Sequence, residues 1–506
     1  MFAPAQSLAL PSSSAATEPF PALHSALGFV RHNGGTVALC SAVVLAPCFW
    51  HRHLEANDLG SHIYNAWLVQ LIHQGKAPGL HIVPQSNNVL FDLMLSGLFP
   101  LGPRAVECIA TSVTVLLFFW GGFALCAAAA GRATWAVAPV LAMTAYGFVF
   151  NMGFFNLYLS VGLSLFVLAL VWRGRRWDFI LIPPLMALIW MAHLLGAGGV
   201  LVLGVSLALM RVLPLRWQLA LTTAMLGAYF AVRWYVLRHY TIVERESDIY
   251  WLGGADQFVV FRRAYLWVAL AVVLCAAATI ALAGLRDRRE ALQRGAAWMQ
   301  LYVVVALAVG FVPGGLWHAK FGMMGYLPDR ISIYAALLAC CLLALARPAR
   351  WQAAAFSVVA IVFFSLLYTD TAALDQLETR MEQVVAPMRP GQRVVATIFS
   401  RRGARVHDQH MIDRACIGHC FYVANYEPSS GQFRVKAEPG SPVVMSDQED
   451  CRLMQNGLYR VRAQDLPLLE IYGCGASLRD ICVRELRAGD LNGEAAFEQI
   501  GVKVRR

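Results

Sequence analysis

The chain has 506 residues, 58% of them apolar and only 14% charged, where soluble domains carry about 25% charge. That balance excludes a purely soluble globule and points to lipid as the main solvent. The formal net charge of +10 belongs entirely to residues 1–369, which hold 23 Lys+Arg against 13 Asp+Glu; residues 370–506 hold 18 of each. The basic excess is therefore a topology signal rather than a nucleic-acid footprint.

Residues 1–33 are rich in Pro, Ser and Ala and lack the basic start of a signal peptide. They are expected to form a disordered cytoplasmic arm. Apolar runs then predict spanning helices near 34–50, 104–128, 133–150, 154–172, 177–192, 194–211, 217–237, 263–284, 296–312, 329–346 and 351–369, each close to the length of a hydrocarbon core. The short connections at 129–132, 173–176, 211–216, 285–295 and 347–350 hold 12 Arg in 29 residues. The longer ones at 51–103, 238–262 and 313–328 hold six Lys+Arg in 94. The positive-inside rule puts the first set in the cytoplasm, and eleven crossings then put the C-terminal tail outside. One further apolar stretch, 87–102, contains Asp92 and ends in Pro and Gly; it reads as an interfacial or re-entrant helix. The expected fold class is an all-α polytopic transmembrane bundle over 34–369, a helical linker at 370–385 and a soluble α/β domain at 386–506. The expected location is a bacterial inner membrane, with the N-terminus cytoplasmic and the tail periplasmic.

The first outer loop carries the most chemistry. Glu55 and Asp58 lie within ten residues of the first span. Residues 61–74 then predict an amphipathic surface helix with Ile63, Ala66, Trp67, Gln70 and Leu71 at helical spacing, ended by Gly75 and Pro78. His62 follows Asp58 by four residues, one helical turn, and with His53 is a candidate to orient the acid or an acceptor. His193 reads as a hydrogen-bonded histidine at a helix end, and 151–160 as a helix-packing junction.

This arrangement resembles the C-type (GT-C fold) membrane glycosyltransferases, which use a polyprenyl-phosphate sugar as donor. In that superfamily the first outer loop carries an essential acid near the membrane and two helices along its surface. Glu55 and Asp58 match the acid, and 61–74 and 87–102 match the helices. The adjacent acidic pair of the protein-mannosylating and arabinose-transferring branches is absent. The resemblance implies that Asp58 or Glu55 is the base, with His62 beside it. A donor phosphate needs cations, for which Arg245, Arg262, Arg263, Lys320 and Arg330 are the outer-side candidates. No cofactor is expected; a requirement for a divalent metal is left open. The implied partners are membrane lipid, the lipid-linked donor and an envelope glycan, lipid or protein acceptor.

In the tail, RVVATIF, QFRVKA, SPVVMS and LYRVRA predict short strands, and LPLLEIYG a strand or short helix. Five of the twelve cysteines lie here: Cys416, Cys420, Cys451, Cys474 and Cys482. In an oxidising compartment they predict disulfides, with Cys416–Cys420 and Cys474–Cys482 as local pairs and one cysteine left over. His407, His410 and His419 beside Cys416 and Cys420 offer a zinc alternative. Transport of an envelope lipid or glycan, and a non-catalytic assembly role, are the competing functions; Asp92, Glu107, Asp178 and Arg233 fall at helix ends or in loops rather than at mid-membrane, against transport, and an assembly role leaves the acid-bearing first loop unexplained.

Overall fold

The computed structural model describes residues 21–245, 248–318, 322–398, 405–406, 409–475 and 480–499. Helix α1 (Pro21–Leu45) starts well before the apolar run at 34. The expected disordered arm therefore loses residues 21–33, while 1–20 lie outside the described residues. Proline suits a first helical turn, where its missing N–H has no partner to lose. Phe29 stacks on Trp135 and lies against Phe123, at ring distances of 5.8 and 6.0 Å. These contacts give the early turns an apolar support.

The first loop holds α2 (Leu59–His73), β1 (Leu80–Ile82) and α3 (Leu90–Leu98). The bundle continues with α4 (Pro103–Ala130), α5 (Ala138–Ala145), α6 (Phe148–Asn151), α7 (Phe155–Arg173), α8 (Ile182–Ala192), α9 (Leu194–Val212) and α10 (Leu215–His239). Strand β2 (Thr241–Val243) precedes α11 (Ala264–Arg286) and α12 (Arg288–Phe311). Strands β3 (Gly315–His318) and β4 (Gly322–Met324) precede α13 (Leu327–Ala346) and α14 (Arg350–Val385). The antiparallel sheet β2-β3-β4 ties two of the longer connections together.

Among the described residues nine helices are long and apolar enough to cross a membrane, so by length and composition the chain is a multi-pass membrane protein. The expected spans at 133–150 and 177–192 are not continuous α-helices of that length. The first breaks at Tyr146 and Gly147 into α5 and α6. The second begins as a 3-10 turn over Arg176–Leu181 and becomes α-helical only at α8, with proline in its first turn.

The tail contains β5 (Gln392–Thr397), α15 (Met411–Ala415), β6 (Cys420–Tyr422), α16 (Tyr426–Ser429), β7 (Val435–Ala437), α17 (Gln448–Gln455), β8 (Leu469–Gly473), β9 (Ile481–Glu485) and α18 (Glu494–Gln499). Its sheet runs β6-β5-β8-β9, with β5 parallel to both neighbours and β9 antiparallel to β8. SPVVMS forms no strand: Val443 and Val444 are buried from an irregular segment. LYRVRA yields only the bridge Arg460–Leu491. Strand β7 leaves the tail sheet and pairs with β1 of the first loop, Leu80 opposite Ala437 and Ile82 opposite Val435. Helix α14 runs unbroken for 36 residues, about 54 Å, and carries the linker out of the bundle into the tail.

The tail changes the environment of α2. A surface helix would keep one wet face, but Leu59 through Ala66 are buried without interruption. The tail packs on the face left by the bundle: Tyr64 Oη accepts from Tyr422 N at 3.1 Å, and Ser61 donates to Glu427 at 3.1 Å. Helix α3 keeps exposed apolar positions, Leu93 among them, as an interfacial helix does.

Candidate functional site

Residues 49–58 leave α1 as irregular backbone and are fixed by main-chain bonds to the turn before α7. Asn57 N donates to Asn151 O at 3.0 Å and Asp58 N to Met152 O at 3.2 Å. Two glycines permit this approach. Gly153 has φ +79°, and a Cβ there would meet Asp58 N at 2.5 Å. A Cβ on Gly60 would meet the carbonyl oxygen of His410 at 2.2 Å. Asp58 is thus set between the bundle and the tail by backbone contacts that larger residues would block.

Glu55, three residues earlier, has a different fate. It is 5% exposed and faces Arg414 of α15, whose Nη2 lies 3.7 Å from its Oε2. Arg414 also holds Glu378 at 2.5 Å and Glu107 at 2.9 Å. Glu107 accepts from Leu54 N at 2.6 Å and pairs with Arg104 at 2.6 Å. Burial, reinforced by Glu378 and opposed by Arg414, pushes the Glu55 carboxyl well above the usual range. Its Oε1 has no hydrogen-bond partner among the described residues. Glu55 is thus an enclosed member of an ion network with Arg414, Glu378 and Glu107.

His53, Glu55 and Glu378 offer ligand atoms within 4.8 Å of one another. Two of the three are already committed: His53 Nδ1 contacts Asp375 at 2.9 Å and Nε2 contacts Glu382 at 3.0 Å, while Arg414 supplies the positive charge for Glu378. Of the trio, Glu55 alone keeps an oxygen without a partner among the described residues.

His62 does not orient Asp58. Its Nδ1 lies 2.9 Å from Asp92 of α3 and 3.2 Å from Glu427 of α16, close-packed as an ion pair rather than aligned as hydrogen bonds. Burial opposes its protonation, but Asp92 and Glu427 outweigh burial and raise its pKa well above that of free imidazole. Asp92 is further fixed by Asn156, which donates at 3.1 Å. The 151–160 junction therefore packs the first loop onto α7, and Phe91 stacks on Phe155 at 4.7 Å.

Asp58 keeps some access, with its side chain 16% exposed. Asn57 donates to its Oδ1 at 3.1 Å. His410 of the tail places Nε2 3.7 Å from the same oxygen, and its Nδ1 is 3.0 Å from Asp413. Arg330, in the first turn of α13, is charge-coupled to Asp58 before any other group. Its guanidinium lies over the Phe154 ring at 4.3 Å, and its buried Nε has no partner among the described residues. The neighbouring Asp329 is already taken by Arg405 of the tail, which also donates to Asp256 O at 2.6 Å and Val259 O at 3.0 Å. Asp256 beneath it is pushed up to about 6 by burial, with Arg405 opposing.

The other cations expected at a phosphate are placed differently. Arg262 pairs with Asp370 at 3.1 Å, because Asp370 projects from α14 directly opposite. Arg263 precedes α11 as its N-cap. Arg245 follows β2, and its buried Nη1 has no partner among the described residues. Lys320 and His407 lie outside the described residues. His193 accepts from Leu195 N at 3.0 Å as a helix cap.

The structure bridges Cys416 to Cys420 and Cys474 to Cys482, with Cα separations of 4.8 and 5.7 Å. Cys451 is buried and unbridged. The bridge removes both sulfurs of the zinc alternative, and His410 is committed to Asp413. Reading the sequence missed Arg405, Arg414 and His410 as partners of the first loop and of α13. The one local signal was the crowding of His, Asp and Arg at 407–414. No family model, no curated protein and no solved structure matches this chain.

Proposed function

We propose that the chain is a membrane glycosyltransferase that moves a sugar from a polyprenyl-phosphate carrier to an acceptor on the outer side of the membrane. The observation that carries this reading is the setting of Asp58 between the bundle and the tail, where its side chain keeps 16% exposure. Arg330 is coupled in charge to Asp58 before any other acid, and its buried Nε has no hydrogen-bond partner among the described residues. In the reaction an acceptor hydroxyl attacks the anomeric carbon, the bond from that carbon to the phosphate oxygen breaks, and the electron pair leaves with the lipid phosphate. Asp58 takes the hydroxyl proton, and Arg330 meets the negative charge on the departing phosphate. Among the described members of the expected cation set, Arg330 is the one coupled in charge to an acid of the first loop.

The topology supports the same side for the chemistry. Helix α4 begins beside Leu54, and α6 ends where Asn151 meets Asn57, which supports a return of 135–151 through the bundle. Helix α8 ends where Met191 O accepts from Val89 N, which supports a return of 176–192. With both counted as crossings, the reading is of eleven passes, with the arginine-rich turns opposite the tail. An outside tail also suits its two cysteine bridges.

The test is transfer of label from a panel of polyprenyl-phosphate hexoses and pentoses by membranes containing the full chain. Transfer is expected from at least one donor, and Asp58→Asn should reduce it by about 10²–10⁴-fold with the protein still inserted. Full activity of Asp58→Asn, or no transfer from any donor in the panel, overturns the reading.

A further inference from the structure

We propose that the tail completes the site, with His410 as the positioning residue for Asp58: held by Asp413, its imidazole keeps the Asp58 carboxylate aimed. This rests on the reading of Asp58 as the base. The geometry is that of a histidine between two carboxylates drawn from different parts of the chain, with Nδ1 3.0 Å from Asp413 and Nε2 3.7 Å from Asp58.

Several features fix the imidazole there. The carbonyl of His410 is wedged against Gly60 at the start of α2. Its ring lies 5.0 Å from that of Tyr426. The segment that follows is closed by the Cys416–Cys420 bridge, and Cys416 N donates to Ile412 O at 3.0 Å. The charged groups facing His410 are Asp413 on α15, Asp58 before α2 and Glu427 on α16, with the Tyr426 phenol beside them. Arg414, the nearest cation in sequence, is turned away into Glu378 and Glu107. Burial works against a proton on His410; the Asp413 contact and the Asp58 and Glu427 charges work for it and prevail.

The consequence is a dependence of catalysis on a residue of the tail. As pH rises and His410 loses its proton, Asp58 loses its fixed partner and transfer falls. In His410→Gln this alkaline limb should vanish, and kcat should drop by about tenfold to a hundredfold with little change in KM for the donor. His419→Gln, an exposed histidine on the following turn, should leave rate and profile unchanged.

A second measurement is independent of turnover. Histidine-selective NMR of the detergent-solubilised full chain should find His410 titrating above free imidazole. Its midpoint should fall in Asp58→Asn and further in Asp413→Asn, which leaves the imidazole in place. If Asp58→Asn is inactive while His410→Gln keeps both the rate and the alkaline limb, the inference is wrong and the functional reading stands. If Asp58→Asn keeps full activity, the functional reading is wrong, and this inference, which rests on it, goes with it. An unchanged His410 midpoint in both Asp variants overturns the inference regardless of activity.

Discussion

Glu55 and Asp58 are separated by two residues and occupy opposite kinds of electrostatic environment. Around Glu55 the site is closed: Arg414 faces three acids, and burial pushes the Glu55 carboxyl well above the usual range. Around Asp58 the site is more open: its side chain keeps 16% exposure, and the Arg330 Nε has no partner among the described residues. A closed network holds the tail on the bundle, whereas an open pair can receive a ligand that brings its own charge. Proximity of an acid to the membrane does not distinguish the two; access to solvent does.

The largest effect that would break this comparison is removal of Arg414. Arg414→Met should leave Glu55, Glu107 and Glu378 without their shared cation and cost about 3–5 kcal/mol. The checks are the thermal midpoint of the solubilised protein and the yield of inserted chain. A variant as stable as the parent would mean that the network is dispensable and that Glu55 is not locked.

A smaller, pH-dependent effect belongs to His62, which joins Asp92 of the first loop to Glu427 of the tail. Its folded pKa is raised above the unfolded value of about 6.5. The stability it contributes is therefore fully present below that value and is lost as pH rises through the folded pKa. His62→Gln should lower stability by about 1.5–3 kcal/mol on the acidic side. Melting curves of parent and variant should converge as pH climbs, and a gap that widens with pH would refute the assignment.

The smallest effect sharpens the contrast directly. Glu55→Gln replaces a buried acid, whose carboxyl is pushed well above the usual range, with a neutral group of the same shape. It should leave both transfer and the melting temperature close to the parent's, while Asp58→Asn abolishes transfer. Loss of transfer in Glu55→Gln with the fold intact would exchange the roles of the two acids.

The parts of this molecule that follow from local composition were readable in the sequence. Apolar runs located the long helices, the break after 74 ended α2, and the continuous pattern through 370–385 carried α14 into the tail. Local patterning failed where burial depends on a remote partner. The face of α2 was misjudged because its cover arrives from α15 and α16. Likewise 432–437 reads as a tail strand but pairs with Leu80–Ile82. His62 was assigned to Asp58 on helical spacing, whereas Asp92 and Glu427 are nearer in space and carry two charges. His410 meets Asp58 across more than 300 residues, a separation at which no periodicity carries information.

That separation has a consequence for how the protein is made. Glu107 precedes Arg414 by 307 residues. At about 5–20 residues per second, synthesis of the intervening chain takes about 15–60 s. During that interval the acids of the first loop and of α4 have no guanidinium from α15, and β1 has no β7 to pair with. The loop waits, protonated or in water, until the last quarter of the chain crosses to it. A ribosome that stops before residue 414 leaves behind a bundle with all its helices and an unfinished surface.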